Sequence, residues 1–515
     1  MTGEIEELRA RLAEIDDLRN ASRVLDWDQQ TMMPPRGAQA RADALATLER
    51  IVHEMFVDER TGRLIERART RLEREGADPD SDEARLVAVA ARRYEKARRV
   101  PSELAAEIAH ASSIGQQVWA KARAEEDFAA FAPYLQRNLD LARRYVDCFQ
   151  GLDFERPYDV LLDDYDPGMR AAEVARLFEQ LKAGLVPLIE RLSPVVVDDS
   201  CLHRRVDVER QRRLVREVLQ LQGFEPEGWR LDDAVHPFAT SLGSGDVRIT
   251  TRWDEGYFPM ALFGAMHECG HGLYEDGIAP ELRRTPLGHA ESLSLHESQS
   301  RLWENFVGRG RAFAEQLAPR VVRTLYGGEG ELDPEQLFRA VNRVAPSFIR
   351  VEADEATYGL HIVLRFELEQ ELIEGRIGVG ELPEAWNARM REYLGLEVRR
   401  DSEGVLQDVH WSAGLIGYFP TYALGNMIAA QLWACARREL PELERQIAGG
   451  ELRTLREWLR ERVHRHGAKF QTGELLRRVC GEPLMAEPFL RYLREKLGAA
   501  YGVELIPPQP HQEVE

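Results

Sequence analysis

This 515-residue chain is poorest in basic charge, cysteine, long apolar runs and strand signals. Its 68 Lys+Arg face 88 Asp+Glu, a formal charge of −20 at pH 7. A nucleic-acid binder needs a basic stripe to neutralise phosphates, and docking to anionic membranes needs the same, so the balance argues against both. The five cysteines (Cys148, Cys201, Cys269, Cys435, Cys480) are odd in number and form no C-x-x-C pair. That is the pattern of a reduced, cytoplasmic protein and not of a disulfide framework. The first residues are charged from position 4 onward, which leaves no apolar core for a signal peptide. One uncharged stretch, 411–436, is long enough to span a bilayer. It holds Pro420, Thr421, Asn426, Gln431 and several glycines, so it is expected to be a buried loop and helix. Lysine and asparagine are also scarce, at 5 Lys to 63 Arg and 6 Asn. High genomic GC is the plain explanation and a thermophilic host a weaker one; neither bears on the reaction.

Helical periodicity is abundant. Hydrophobic residues make up 44% of the chain, which excludes global disorder. At roughly 150 residues per domain the length allows about three domains, although large helical enzymes reach this size as one body. No linker composition divides the chain, so a single domain, 1–515, is expected. Ile5, Leu8, Leu12 and Ile15 place one apolar stripe on a charged helix. Val174, Leu177, Phe178, Leu181 and Leu185 repeat the pattern, with Pro187 expected to kink or end that helix. The segments 38–75, 81–98, 102–150, 208–222, 300–326, 334–342 and 437–498 read the same way, punctuated by turns such as Asp166-Pro167-Gly168. The best strand signal, Asp246-Val247-Arg248-Ile249-Thr250-Thr251, follows the turn Gly243-Ser244-Gly245. Residues 507–515 read as a disordered tail. The fold class predicted is mostly α with one small sheet.

Met266-His267-Glu268-Cys269-Gly270-His271-Gly272 contains H-E-x-x-H. On a helix, residues four apart share a face, so both imidazoles can reach one ion. Zn²⁺ suits two neutral imidazoles and a carboxylate, with a fourth position open to water. Glu268, next to the first ligand, then projects where it can take a proton from that water. The plain alternative is an ordinary helix with structural histidines. Gly270 and Gly272 count against that, since each costs up to about 1 kcal/mol relative to Ala, a cost that makes sense where another backbone approaches. Cys269 falls on a different face and reads as core. A third ligand can come from Glu275, Glu291 or Glu297, with His289 and His296 less suited. Glu291 and Glu297 both lie in 287–302, expected to form the next helix, and spacing alone does not choose between them.

The surroundings choose. In order stand His236-Pro237-Phe238, Asp246-Val247-Arg248-Ile249-Thr250, His267 to His271, His296-Glu297-Ser298-Gln299, Ile349-Arg350-Val351-Glu352-Ala353-Asp354 and Gly404-Val405-Leu406-Gln407-Asp408-Val409-His410-Trp411. This series resembles the carboxypeptidase Taq family of zinc metallocarboxypeptidases, whose signatures are HPF, DxRxT, HExxH, HES/GQ, (I/N)Rxx(A/S)D and GxxQDxHW. All six are present without substitution, and Leu25 to Pro34 resembles the family's N-terminal segment. The resemblance implies His267, His271 and Glu297 as zinc ligands, with Co²⁺ as an alternative ion, and Glu268 as general base. It implies a helical body with a deep central cleft that the 1–150 helices cover, the metal site and substrate motifs within 230–430, and a homodimer. It also implies release of single C-terminal residues from peptides, with broad tolerance and poor use of C-terminal proline.

A carboxypeptidase must grip a free carboxylate, and an arginine fork is the usual means. Arg350 and Arg248 stand inside signature motifs. For Arg350 the alternative is an ion pair with a neighbour such as Glu352 or Asp354. Arg248 lies on what reads as an edge strand able to pair with an extended peptide, or else its side chain holds Asp246. His236 and His410 are substrate-contact candidates or satisfied core histidines. Tyr418 and Tyr422 can donate to an oxyanion or simply pack. Asp354 or Asp408 is a candidate for orienting a ligand imidazole. The rival readings are an endopeptidase of the same zinc type and a helical scaffold with a structural metal.

Overall fold

The structure, a computed structural model, describes residues 3–243 and 245–505. Ser244 of the expected turn and the expected tail 507–515 lie outside the described residues. Twenty α-helices and one three-stranded sheet are present among them. The first helix, Glu4–Thr31, buries Leu8, Leu12 and Ile15, the stripe the periodicity marks. Several expected helices are divided: 437–498 holds four α-helices, 300–326 is interrupted by π-turns, and two others are each split in two. The 38–75 segment breaks at Asp58, whose side chain caps Glu59–Glu75 by accepting from the Arg60 N–H. The 102–150 segment breaks at Glu126, which is left-handed (φ 58°), and Asp127 then caps Phe128–Asp147. Each cap residue is acidic and also suits a solvent-facing helical position, so periodicity does not register the break.

Pro187 neither ends its helix nor isolates the residues after it. Ala171–Leu192 continues past it and buries Leu188, Ile189 and Leu192 beyond, so packing of the apolar face outweighs the one lost backbone hydrogen bond. The helix expected over 287–302 begins only at Leu293, where Ser292 accepts from the Leu295 N–H. Glu291 therefore falls outside it. The uncharged stretch becomes a loop followed by the buried helix Pro420–Glu439, and no described helix is long and apolar enough to cross a membrane.

The sheet comprises β1 (Trp229–Asp233), β2 (Ala239–Ser241) and β3 (Val247–Thr251). β3 lies in the middle, parallel to β1 and antiparallel to β2, with Arg248 registered against Arg230 on one side and Thr240 on the other. This corrects the edge-strand expectation: both backbone sides of β3 are used, and a peptide cannot add there. The flanking strands escape sequence reading because Trp-Arg-Leu-Asp-Asp and Ala-Thr-Ser carry no clear alternation.

Three helices set the centre: Pro259–Gly277, Leu293–Arg301 and Pro420–Glu439. Glycines let them approach. A Cβ on Gly270 would stand 2.6 Å from the Gln299 carbonyl oxygen and 2.8 Å from the Ser300 Cα. A Cβ on Gly425 would stand 2.9 Å from the Glu297 Cβ, and one on Gly272 2.5 Å from the Trp229 ring. Leu293–Arg301 is thus held between two glycine-bearing helices; of the two motif glycines, Gly270 meets the expected backbone, whereas Gly272 meets the side chains of Trp229 and Val247. Because the groups opposing Gly270 are backbone, Gly270→Ala should cost about 1–3 kcal/mol by overpacking. Thermal unfolding of the metal-free protein checks this, and an unchanged Tm would count against so close a contact.

Candidate metal centre and active site

His267, Glu268 and His271 ride on the buried helix Pro259–Gly277, and Glu297 on the helix that crosses it. The His267 Nε2 stands 3.5 Å, and the His271 Nε2 3.4 Å, from the same carboxylate oxygen, Glu297 Oε2. Among the described residues these three form the group of donors able to share an ion, with ligand atoms within 4.8 Å of one another. Of the other third-ligand candidates, Glu275 pairs with His296 and His289, and Glu291 is a buried carboxyl pushed up to about 7 by burial, opposed by Arg93.

The other face of each ligand is occupied. Glu297 Oε1 accepts from Arg301 Nε at 2.7 Å. Burial opposes ionisation of Glu297, but Arg301 and the two imidazoles outweigh it and hold its carboxyl well below the usual range. His267 Nδ1 lies 2.9 Å from Glu304 Oε2, which Arg301 also contacts at 3.1 Å, while Arg309 holds Glu304 Oε1 at 2.9 Å. His271 Nδ1 meets His296 Nδ1. A metal-bound histidine presents one nitrogen to the ion and donates from the other, and here both Nδ1 atoms have partners while both Nε2 atoms face one oxygen. Two imidazoles, a carboxylate and a remaining open position fit a tetrahedral divalent cation.

Glu304 owes its place to a π-helix, Leu302–Gly308. The wider turn shifts the side-chain register. The Asn305 carbonyl within it accepts from Lys496 Nζ at 3.0 Å and Tyr492 Oη at 3.2 Å. Sequence reasoning missed Arg301 and Glu304. Arginine four residues after Glu297 was a usable signal, but helical spacing gives no cue to the π-turn. Glu304, and neither Asp354 nor Asp408, stands behind a candidate ligand imidazole, His267. Asp354 caps the helix Glu355–Ile373, and Asp408 is held by two arginines.

Glu268 is buried, and desolvation pushes its carboxyl up to about 7 against the pull of His267. Cys269 is wholly buried in the core. Across the centre, Arg350 donates from Nε and Nη2 to Asp408 Oδ1 at 2.9 and 2.8 Å and from Nη1 to the Tyr358 hydroxyl at 3.0 Å. Its ion-pair partner is therefore Asp408 and not Glu352 or Asp354. Arg365 takes the other Asp408 oxygen, at 2.7 Å from Nε. The Arg350 guanidinium lies 5.0 Å from the Tyr422 ring centroid, and Arg301 lies 4.6 Å from that of Tyr358. His410 Nε2 is 3.1 Å from the Tyr422 hydroxyl, its Nδ1 is buried without a partner, and burial depresses its pKa to about 3, leaving it neutral. Tyr418 packs against Tyr165, His410 and Tyr422. Burial raises its pKa, and the Glu297 charge raises it further.

Arg350, His410, Tyr418 and Tyr422 thus form one group beside the candidate metal ligands. Arg248 does not join it: its guanidinium holds Asp246 at 2.9 Å, the alternative the sequence offers, and also covers the Trp27 ring. His236 is exposed on the loop between β1 and β2.

The family model described as carboxypeptidase Taq (M32) metallopeptidase matches residues 7–497. The chain belongs to this family. It is 44% identical over 489 residues to thermostable carboxypeptidase 1 of Thermus thermophilus, covering 92% of this chain and 94% of that protein. Against carboxypeptidase 1 of Bacillus subtilis it is 36% identical, covering 95% and 97%. The crystal structure of the M32 carboxypeptidase from Deinococcus radiodurans superposes with a TM-score of 0.92 at 38% identity, over 98% of this chain and 100% of that one. Membership makes the protein a metallocarboxypeptidase, an enzyme whose family implies a metal and peptide substrates. Removing the charge behind His267 with Glu304→Gln should weaken metal affinity about 10- to 100-fold. Competition with a chelator measures it, and wild-type affinity would show that Glu304 merely fills space.

Proposed function

We propose that the enzyme is a zinc carboxypeptidase that releases single residues from free peptide C-termini, with broad side-chain tolerance and poor use of C-terminal proline. His267, His271 and Glu297 would hold Zn²⁺, with Co²⁺ as an alternative ion. When bound, the ion supplies Lewis acidity, which polarises the scissile carbonyl and eases deprotonation of water at neutral pH. Glu268 takes the proton of the attacking water and passes it to the leaving amine. With His410 Nε2–H donating to the Tyr422 oxygen, the Tyr422 hydroxyl keeps its own proton for the developing oxyanion. Arg350 receives the substrate carboxylate, and Tyr418 lines the approach. Arg248 and His236 are assigned to more distant parts of a longer peptide on the resemblance alone, since their described contacts lie elsewhere.

The observation that carries the exopeptidase reading is a charge count. Asp408 is shared by two buried guanidiniums, Arg350 and Arg365. Arg365 keeps its charge at neutral pH, since burial lowers its pKa only to about 10. Arg350 thus shares its one carboxylate partner with a second guanidinium, and buried charge is costly unless fully matched. A terminal carboxylate matches it, whereas an amidated end does not. The helices Ser102–Glu125 and Phe128–Asp147 support their assignment as a cover by gripping this region. Trp119 Nε1 donates to the Leu406 carbonyl at 2.9 Å, and Asn138 to those of Trp411 and Ser412 at 2.9 and 3.0 Å. We further read the protein as a cytoplasmic homodimer without nucleic-acid or membrane partners. The compartment follows from the cysteine pattern and the dimer from the resemblance.

Two peptides of one sequence, one with a free and one with an amidated C-terminus, test the reading. Stepwise amino-acid release from the free peptide only is expected, and equal cleavage of both would make it an endopeptidase. Glu268→Gln should keep the metal and lose most turnover, so near-wild-type rates in that variant would remove Glu268 from the mechanism. Because Glu268 works only when ionised, kcat/KM should fall as pH drops through its pKa. Burial lifts that pKa from 4.5 to about 7 and a bound cation pulls it back, so the acid limb should lie between these values. A pH profile flat across that range contradicts the assignment.

A further inference from the structure

The two metal-facing imidazoles are backed differently. Behind His267 stands a carboxylate, Glu304. Behind His271 stands another imidazole, His296, and behind that a chain that leaves the centre. His296 Nε2 is 3.1 Å from Glu275 Oε1, His289 Nδ1 is 3.9 Å from Glu275 Oε2, and His289 Nε2 is 2.8 Å from Asp16 Oδ1. Asp16 is buried on the N-terminal helix Glu4–Thr31, remote in sequence from every signature motif.

The proton positions along the inner links follow from connectivity. If His271 gives Nε2 to the metal, its Nδ1 carries hydrogen and donates to His296 Nδ1. That atom must then accept, so the His296 hydrogen is on Nε2 and points at Glu275. Glu275 also accepts weakly from the Ala290 N–H at 3.4 Å and faces His289 on its far side. His289 in turn is fixed by Asp16, whose remaining described contact is a 3.4 Å bond from Asn20.

We propose that His296, Glu275, His289 and Asp16 are positioning residues for His271, which makes the N-terminal helix part of the metal-holding apparatus. The proposal rests on His267, His271 and Glu297 being the metal ligands. Docking of the helix alone does not require it. One residue along, the exposed Asp17 pairs with Arg284 at 2.9 Å across the same interface, and the buried Asp16 is turned inward instead.

The test titrates metal-free protein with Zn²⁺ against a chelator and records the metal-free Tm of each variant. Glu275→Gln should weaken affinity about 10- to 100-fold, and Asp16→Asn should act in the same direction by about 3- to 10-fold. Asp16→Glu should recover part of that loss, and Asp17→Asn should bind like wild type. Wild-type affinity in Asp16→Asn or Glu275→Gln overturns the proposal. So does an equal loss in Asp17→Asn, which would reduce Asp16 to a docking contact. If Asp16→Asn does not fold, His289→Gln makes the same test, because an amide cannot bridge two carboxylates as the imidazole does. Failure of the ligand reading gives a different result: His271→Ala would bind Zn²⁺ as tightly as wild type.

Discussion

The centre depends on how one buried carboxylate divides its two oxygens. Glu297 Oε2 faces both histidines, and Oε1 is held by Arg301. A buried carboxylate is expensive unless each oxygen is matched, and Arg301 matches one oxygen without reaching into the ligand position. Arg301 also reaches Glu304, so a single guanidinium ties Glu297 to the carboxylate behind His267. Gly270 and Gly425 supply the room, since a side chain at either would push apart the helices that bring these groups together. Metal binding must then compete with protons: burial lowers the His267 pKa, but Glu297 and Glu304 outweigh it and the net shift is upward.

The parts of the centre written into one turn of helix were legible in the sequence. H-E-x-x-H fixes a face, and Gly270 inside it signals a backbone contact that Gln299 and Ser300 supply. Glu297 was separable from Glu291 only through the motif order, and the fold gives the physical reason: Ser292 starts the helix late and leaves Glu291 off it. Glu304 was illegible because a π-turn changes the periodicity that sequence reading relies on, and that turn is braced by Lys496 and Tyr492 from the far end of the chain. Long-range partners of this kind leave no local trace. The same holds for Asp408, which reads as a neighbour of His410 yet serves two arginines from separate segments.

The small sheet shows a related limit. Its strongest strand was recognised, but the two weak strands beside it were not, and that omission turned a central strand into an apparent edge. The consequence is functional. With β3 enclosed, Arg248 is committed to Asp246 and Trp27, and Trp27 also lies under Arg230 at 4.5 Å. This stack joins the N-terminal helix to the sheet, just as Asp16 joins it to His289 ahead of the helix Leu293–Arg301. One helix therefore touches both parts of the molecule that flank the H-E-x-x-H helix.

Arg350 poses the sharper question, because its fork is already occupied. Asp408 takes two of its donors and Tyr358 a third, which at first favours a purely structural role. The proposed carboxylate-binding role rests on how the charges are shared. A structural pair needs one guanidinium per carboxylate, and Asp408 has two. Arg365 is wholly enclosed, and it also donates to the His361 carbonyl. Arg350 lies among Tyr358, Phe419 and Tyr422, and Tyr422 in turn meets His410. Asp408 therefore fixes the orientation of Arg350 while its charge is shared with Arg365. An arginine aimed by a shared carboxylate keeps much of its attraction for a second one, and loses little side-chain freedom when that second carboxylate arrives.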